Sequence, residues 1–250
     1  MLAKRIIPCL DVNNGLVMKG IKFQKLNIVG NPVELADYYF KQNADELVFL
    51  DIGASPNNRK NMIDVVKKVS KKVFIPLTVG GGIGSLKDIE IALSNGADKV
   101  SINTAGVKNP KLIYRASERF GSQCIVCAID AQKKGNSWTV LINGGREETD
   151  VNAVFWAKEV ERYGAGEILL TSWDSDGTQK GYDINLTKKI AESVNIPIIA
   201  SGGAGCLKDI LDVLTAGNAD AALVASLFHY KKYTIRDVKD YLKNNGVEMR

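Results

Sequence analysis

Short apolar runs and longer amphipathic segments alternate along the whole chain. Apolar runs of strand length predict β-strands at 5–12, 46–52, 73–79, 99–103, 123–130, 167–172, 197–201 and 221–225. Between and after them, helical periodicity predicts helices at 32–43, 59–72, 85–95, 110–120, 152–163, 184–194, 207–216 and 235–244. Proline stands near the start of several elements, and Gly-Ala near the end of several helices (Gly96-Ala97, Gly164-Ala165), as start and stop signals should. Eight βα units in series with no break in composition predict one domain, residues 1–250, in a closed parallel barrel. The other arrangement such a pattern allows is an open, doubly wound sheet.

The chain also repeats itself. IPLTVGGGIGSLKDIEIALSNGADKVSINT, from Ile75, is matched from Ile196 by IPIIASGGAGCLKDILDVLTAGNADAALVAS. Gly81-Gly82 meets Gly202-Gly203, Leu86-Lys87-Asp88-Ile89 meets Leu207-Lys208-Asp209-Ile210, and Asn103-Thr104 meets Ala225-Ser226 past the extra Asn218. RIIPCLD at Arg5 likewise resembles CIVCAID at Cys124, so each half is about 120 residues long. Two half-barrels of four units close naturally into eight. The expected fold is therefore α/β, a (βα)8 or TIM barrel built from two repeated halves.

The duplication sharpens the chemistry. In this fold the loops after strands seven and eight commonly bind phosphate, and glycine lets backbone N–H groups close on the anion. Here strands three and seven end in Gly81-Gly82 and Gly202-Gly203, and strands four and eight in Asn103-Thr104 and Ala225-Ser226. Two such sites related by the repeat imply an elongated bisphosphate. Asp11 and Asp130 end strands one and five, which face each other across the mouth, so two carboxylates would flank the bound molecule for acid–base work. Asp51, Thr171 and Asp176 lie at neighbouring strand ends as further candidates. At the other end, Arg5, Glu46, Lys99 and Glu167 begin strands one, two, four and six. Counting by twos puts Arg5, Lys99 and Glu167 on the sides of Asp11, Asn103 and Thr171. A paired floor layer follows, either a neutral plug or a gate on a passage through the barrel. Two long connections, 13–31 and 131–149, would rise over the mouth. The first, carrying Lys19 and Lys22, reads as a lid, and the second contains a hairpin-like SWTVLINGG.

Composition removes several alternatives. The net charge of +5 comes mostly from lysine pairs on helix surfaces and loops, so nucleic acid is not the expected partner, while anionic small molecules fit. No run approaches the ~18 apolar residues of a membrane span. Four cysteines in or beside strands suggest a reduced, cytoplasmic protein, and Cys124 and Cys127, three apart on a strand, point to opposite faces and cannot share a metal. The single histidine, His229, allows no His-based metal site or Ser-His nucleophile, and neither a Walker A nor a Rossmann fingerprint occurs. No cofactor or metal is expected.

With RIIPCLDV, LTVGGGI, ADKVSINT, FGSQCIVCAID, GAGEILLTS, DGT and IIASGGAG in place, the chain resembles the cyclase subunits of imidazole glycerol phosphate synthase over essentially its whole length. The resemblance implies an enzyme of histidine biosynthesis that takes ammonia from a glutaminase partner docked at the barrel floor, forming a heterodimer. That ammonia and a phosphoribulosyl-formimino-aminoimidazole-carboxamide ribonucleotide would give imidazole glycerol phosphate and AICAR. It places the catalytic pair on Asp11 and Asp130 and the loop lysine on Lys19. It places the ammonia gate on Arg5, Glu46, Lys99 and Glu167, and phosphate contacts on Gly82, Asn103, Thr104, Gly177, Gly203, Ala225 and Ser226. Ammonia would pass polar pore residues such as Thr78 and Ser101, with Asp11 favoured as the general acid. Family members usually carry Arg where Leu16 and Ser175 stand, Thr at Gly53 and Gly at Asp150. Two rival readings share the fold: the bisphosphate isomerase of the preceding step, and a paralogue that delivers ammonia to a sugar-modifying amidotransferase.

Overall fold

The computed structural model describes residues 3–21, 24–53 and 56–250. The first half begins with β1 (Arg5–Asn13), β2 (Leu16–Ile21), β3 (Gln24–Gly30) and α1 (Pro32–Lys41). It continues through β4 (Leu47–Asp51), α2 (Pro56–Val69), β5 (Leu77–Gly80), α3 (Leu86–Ser94), β6 (Lys99–Ile102), α4 (Thr104–Lys108) and α5 (Lys111–Phe120). The second half opens with β7 (Ile125–Lys134), β8 (Ser137–Ile142), β9 (Glu147–Asn152), α6 (Ala153–Arg162) and β10 (Glu167–Ser172). After α7 (Ile184–Ala191) and β11 (Ile198–Ser201) come α8 (Leu207–Leu214), β12 (Ala221–Val224), α9 (Ser226–His229) and α10 (Ile235–Asn244).

Eight of these strands pair in parallel, in the order β1-β4-β5-β6-β7-β10-β11-β12, and β12 returns to β1. The ring closes, so the open sheet is excluded and the (βα)8 barrel with its two halves stands. The eight predicted strands and eight long predicted helices all occur, with ends moved by a few residues. Beyond Asp11 and Asp130 the sheet continues upward as two antiparallel hairpins, β2–β3 on β1 and β8–β9 on β7. The first hairpin replaces the loop expected at 13–31, and Lys22 within it lies outside the described residues.

The sequence closes the strands at the floor by a repeated device. Asp45, Asp98 and Asp220 each follow an alanine and precede a strand. Their carboxylates accept the N–H of Ile6 (2.8 Å), Leu77 (2.8 Å) and Ile198 (3.0 Å) on the adjacent strand, satisfying donors that open strand ends would leave unpaired. Alternation then sorts the side chains. Residues such as Ile6, Leu10, Leu47, Ile125 and Ile168 point outward into the apolar layer beneath the helices. Ile7, Cys9, Val48, Val126, Leu169, Ile199, Ala221 and Leu223 point inward and fill the pore. On the same inward layer, β5 and β6 place the polar Thr78 and Ser101, both buried.

Candidate active site

The floor is a closed square of charges. Arg5 donates to Glu46 Oε1 (2.7 Å) and Glu167 Oε1 (2.6 Å), and Lys99 Nζ to Glu46 Oε2 and Glu167 Oε2 (2.9 Å each). Burial opposes the charge on Glu46, but Arg5 and Lys99 outweigh it and hold its pKa low. The parity count puts Arg5, Lys99 and Glu167 on the pore side, Glu46 opens the second strand beside them, and the structure brings all four together.

At the opposite end, the C-terminal mouth is a cavity of about 1170 Å³. The residues assigned above to catalysis or substrate contact line it: Asp11, Lys19, Gly82, Asn103, Thr104, Asp130, Thr171, Asp176, Gly177, Gly202, Gly203, Ala225 and Ser226. Asp51 does so as well.

The glycine turns repeat as conformations and not only as letters. Gly81 and Gly82 have φ of +87° and +68°, Gly202 and Gly203 of +89° and +112°. A Cβ on Gly81 would lie 2.1 Å from the Asp51 carbonyl oxygen, and one on Gly203 2.0 Å from that of Gly181. Both turns therefore need a residue without a side chain. The neighbouring strand ends match too, Asn103 at φ −117°, ψ −100° and Ala225 at φ −121°, ψ −73°. Each glycine turn is held by an aspartate in the first turn of the next helix. Asp88 accepts from Gly84 N (3.1 Å), and Asp209 from Gly205 N (2.8 Å) and Cys206 N (2.9 Å).

The two central carboxylates occupy equivalent positions in unlike surroundings. Asp11, at the start of the first hairpin, pairs with Lys19 Nζ at 3.1 Å and accepts a weak bond from Cys9 Sγ at 3.6 Å. Lys19 comes from β2, whose antiparallel pairing on β1 places it over the strand end. Among the described residues no lysine pairs with Asp130; Asn103 Nδ2 donates to its Oδ2 at 2.9 Å and the Thr171 hydroxyl to its carboxylate. Part of its surface faces the cavity, yet it lies deep in the mouth. Burial raises its pKa to about 6; the bonds from Asn103 and Thr171 oppose that shift and nearby Asp176 adds to it.

Some site residues escaped the sequence reading. Cys9 touches Asp11 from two residues upstream, and strand parity could have found it. Asn143 N donates to Thr104 Oγ1 at 2.9 Å, stitching the second hairpin's turn onto the end of β6, a long-range contact with no local signal. His229 lies in the outer layer with Nδ1 2.7 Å from the Tyr39 hydroxyl, and burial lowers its pKa to about 4, so it stays neutral. Among the described residues no group of three His, Cys, Asp or Glu side chains could hold a metal ion.

A closed βα barrel whose mouth gathers two aspartates between two repeated glycine turns has the architecture of a (βα)8-barrel enzyme. The chain belongs to the histidine biosynthesis protein family, whose model matches residues 5–234, and within it to the cyclase-subunit branch of imidazole glycerol phosphate synthase. It is 55% identical to the imidazole glycerol phosphate synthase subunit HisF of Clostridium botulinum strain Okra / Type B1, with 100% of both chains covered. The subunit of the same name from strain Kyoto / Type A2 is 54% identical over the same full coverage. These relatives are named as subunits, so a partner subunit belongs to the synthase. No helix among the described residues is long and apolar enough to cross a membrane.

Proposed function

We propose that the chain, acting as one domain in the cytoplasm, performs the ammonia-dependent half-reaction of the synthase. A glutaminase subunit docks on the floor and releases ammonia there. The ammonia crosses the pore and meets the phosphoribulosyl-formimino-AICAR ribonucleotide at the mouth, yielding imidazole glycerol phosphate and AICAR. The observation that carries this reading is the placement of Asp11 and Asp130 at equivalent strand ends in one cavity, between two glycine turns of matching backbone conformation.

The residues divide the work as follows. Gly82, Asn103 and Thr104 hold one phosphate; Gly177, Gly202, Gly203, Ala225 and Ser226 hold the other, fixing the substrate's middle between the carboxylates. Asp130, with a pKa of about 6, is still mostly ionised at neutral pH and is a stronger base than an ordinary carboxylate. Asp11 gives the proton. Lys19, 3.1 Å from it, stands on the first hairpin and can move from it to the substrate. Thr171 and Asp176 steady Asp130 and the second glycine turn.

Below, the four floor charges form the gate. The interior above them is aliphatic apart from Cys9, Ser101 and Thr78, whose buried Oγ1 has no hydrogen-bond partner. An apolar passage with a few hydroxyls suits neutral ammonia and resists ammonium, whose charge would cost far more to desolvate. A scaffold that only delivers ammonia would have no use for two aspartates held at the mouth.

The test is turnover of the bisphosphate with ammonium salt as nitrogen source, products identified, for wild type, Asp11→Asn and Asp130→Asn. Near-full rate in either variant removes that residue from the mechanism. No ammonia-dependent turnover by wild type removes the function.

A further inference from the structure

The glycine turns repeat, but the charges around them do not. Two exposed cations line the cavity on the first-half side. Lys108 ends the five-residue α4 that begins at Thr104, one helical turn further on. Arg146 sits in the turn between β8 and β9. That turn is tied to the first-half cradle, because Asn143 N donates to Thr104 Oγ1 at 2.9 Å and Arg146 Nε donates to Asn143 O at 2.7 Å. Arg146 is thus held beside Thr104 by its Nε, and among the described residues neither its terminal nitrogens nor Lys108 Nζ makes an ion pair.

On the second-half side no described cation lines the cavity. Lys180 and Lys232 lie on loops of that half, and Lys232 Nζ is engaged with the Gly205 carbonyl. Each side also carries one aspartate, Asp51 or Asp176, so the acids do not cancel the difference.

We propose that Lys108 and Arg146 form a cationic clamp over the first-half glycine turn, so that the two ends of a bisphosphate are held by chemically different grips. This rests on the bisphosphate reading above and adds to it which end is charge-held. The first-half phosphate is bound by charge-assisted contacts from exposed side chains, which are strong but screened by salt. The second-half phosphate is bound by neutral backbone N–H groups and the Ser226 hydroxyl, whose strength changes little with ionic strength. The clamp therefore sets the order of affinity of the two ends, and the product whose phosphate occupies the first cradle is the slower to leave.

The probe is inorganic phosphate, titrated calorimetrically into the full chain at low and high salt, with phosphate-soaked crystals locating each ion. Wild type is expected to bind at both cradles, the first more tightly at low salt and the two converging at high salt. Lys108→Gln combined with Arg146→Gln weakens the first cradle about tenfold, removes its salt dependence and leaves the second unchanged. Both side chains are exposed, so the thermal midpoint should not move. As a gain-of-charge arm, Ser175→Arg puts a cation beside Gly203, whose added Cβ would meet Ser175 Cβ at 3.1 Å, and should tighten the second cradle. Unchanged affinity and salt response at the first cradle in the double variant overturn the clamp while leaving the bisphosphate reading intact. Absence of phosphate from both cradles of wild type overturns both.

Discussion

The first and second halves of the barrel share a backbone plan and differ in what they hang on it. Gly81-Gly82 and Gly202-Gly203 repeat to the sign of φ, and Asp88 and Asp209 brace both turns in the same way. Asp11 and Asp130, by contrast, occupy one position in two chemistries: an ion pair with Lys19 and a half-buried site fed by neutral donors. Duplication copies the elements that set geometry. Divergence at single side chains is then enough to give two equivalent carboxylates unlike partners.

The comparison breaks most sharply at the carboxylates. Asp11→Asn and Asp130→Asn should each cost about 10²–10⁴-fold in ammonia-dependent turnover, read from product formation. Equal losses with identical pH profiles would mean that the two surroundings do not matter. The floor is the next test, since the first half supplies Arg5, Glu46 and Lys99 and the second Glu167, with Arg250 3.9 Å from Glu46 at its edge. Glu167→Gln leaves two half-buried cations sharing one buried acid and should cost about 3 kcal/mol in a denaturant titration. Gly81→Ala and Gly203→Ala should each lose about 1–3 kcal/mol and raise the KM for the bisphosphate, because neither backbone oxygen can retreat from the new Cβ. If only one of them does so, the turns are not functional equivalents.

Asp130 makes a subtler prediction. Its folded pKa of about 6 lies above the 3.8 of an ordinary aspartate, so the folded state holds the proton more tightly than the unfolded chain. Its contribution to stability is present below about pH 4 and is lost as the pH rises through about 6. Relative to Asp130→Asn, wild type should therefore lose about 1–3 kcal/mol across that window. In the same window its turnover should rise as the base ionises, and Asp11→Asn should keep the stability trend. The smallest effect is expected at the helix caps, where Asp88→Ala and Asp209→Ala should each cost about 1 kcal/mol in thermal stability.

The fold and most of the mouth were legible because they rest on local periodicity and on the repeat. Parity along single strands placed Arg5 under Asp11 and Lys99 under Asn103, and the floor square followed. Strand ends were less legible. The strand expected from Val73 begins at Leu77, since Pro76 can only accept a bond, from Leu47 N, and Phe74 stays exposed. The β2–β3 hairpin was read as a loop because Lys19 and Lys25 interrupt its apolar alternation. Its register comes from pairing on β1, which buries Val17 fully. The helices α4 and α9, of five and four residues, are too short to show a period. The unlike settings of Asp11 and Asp130 depend on Lys19, Asn103 and Thr171 arriving from other elements, which no one-dimensional pattern encodes.

The square of charges at the floor has a consequence for the ancestry of the molecule. Split between the halves, it would leave one fragment with two cations around a single carboxylate and the other with a solitary buried glutamate. Neither piece is electrically content by itself, and two copies of the second would press like charges together. Each part of the doubled polypeptide thus carries what the other needs to be neutral there.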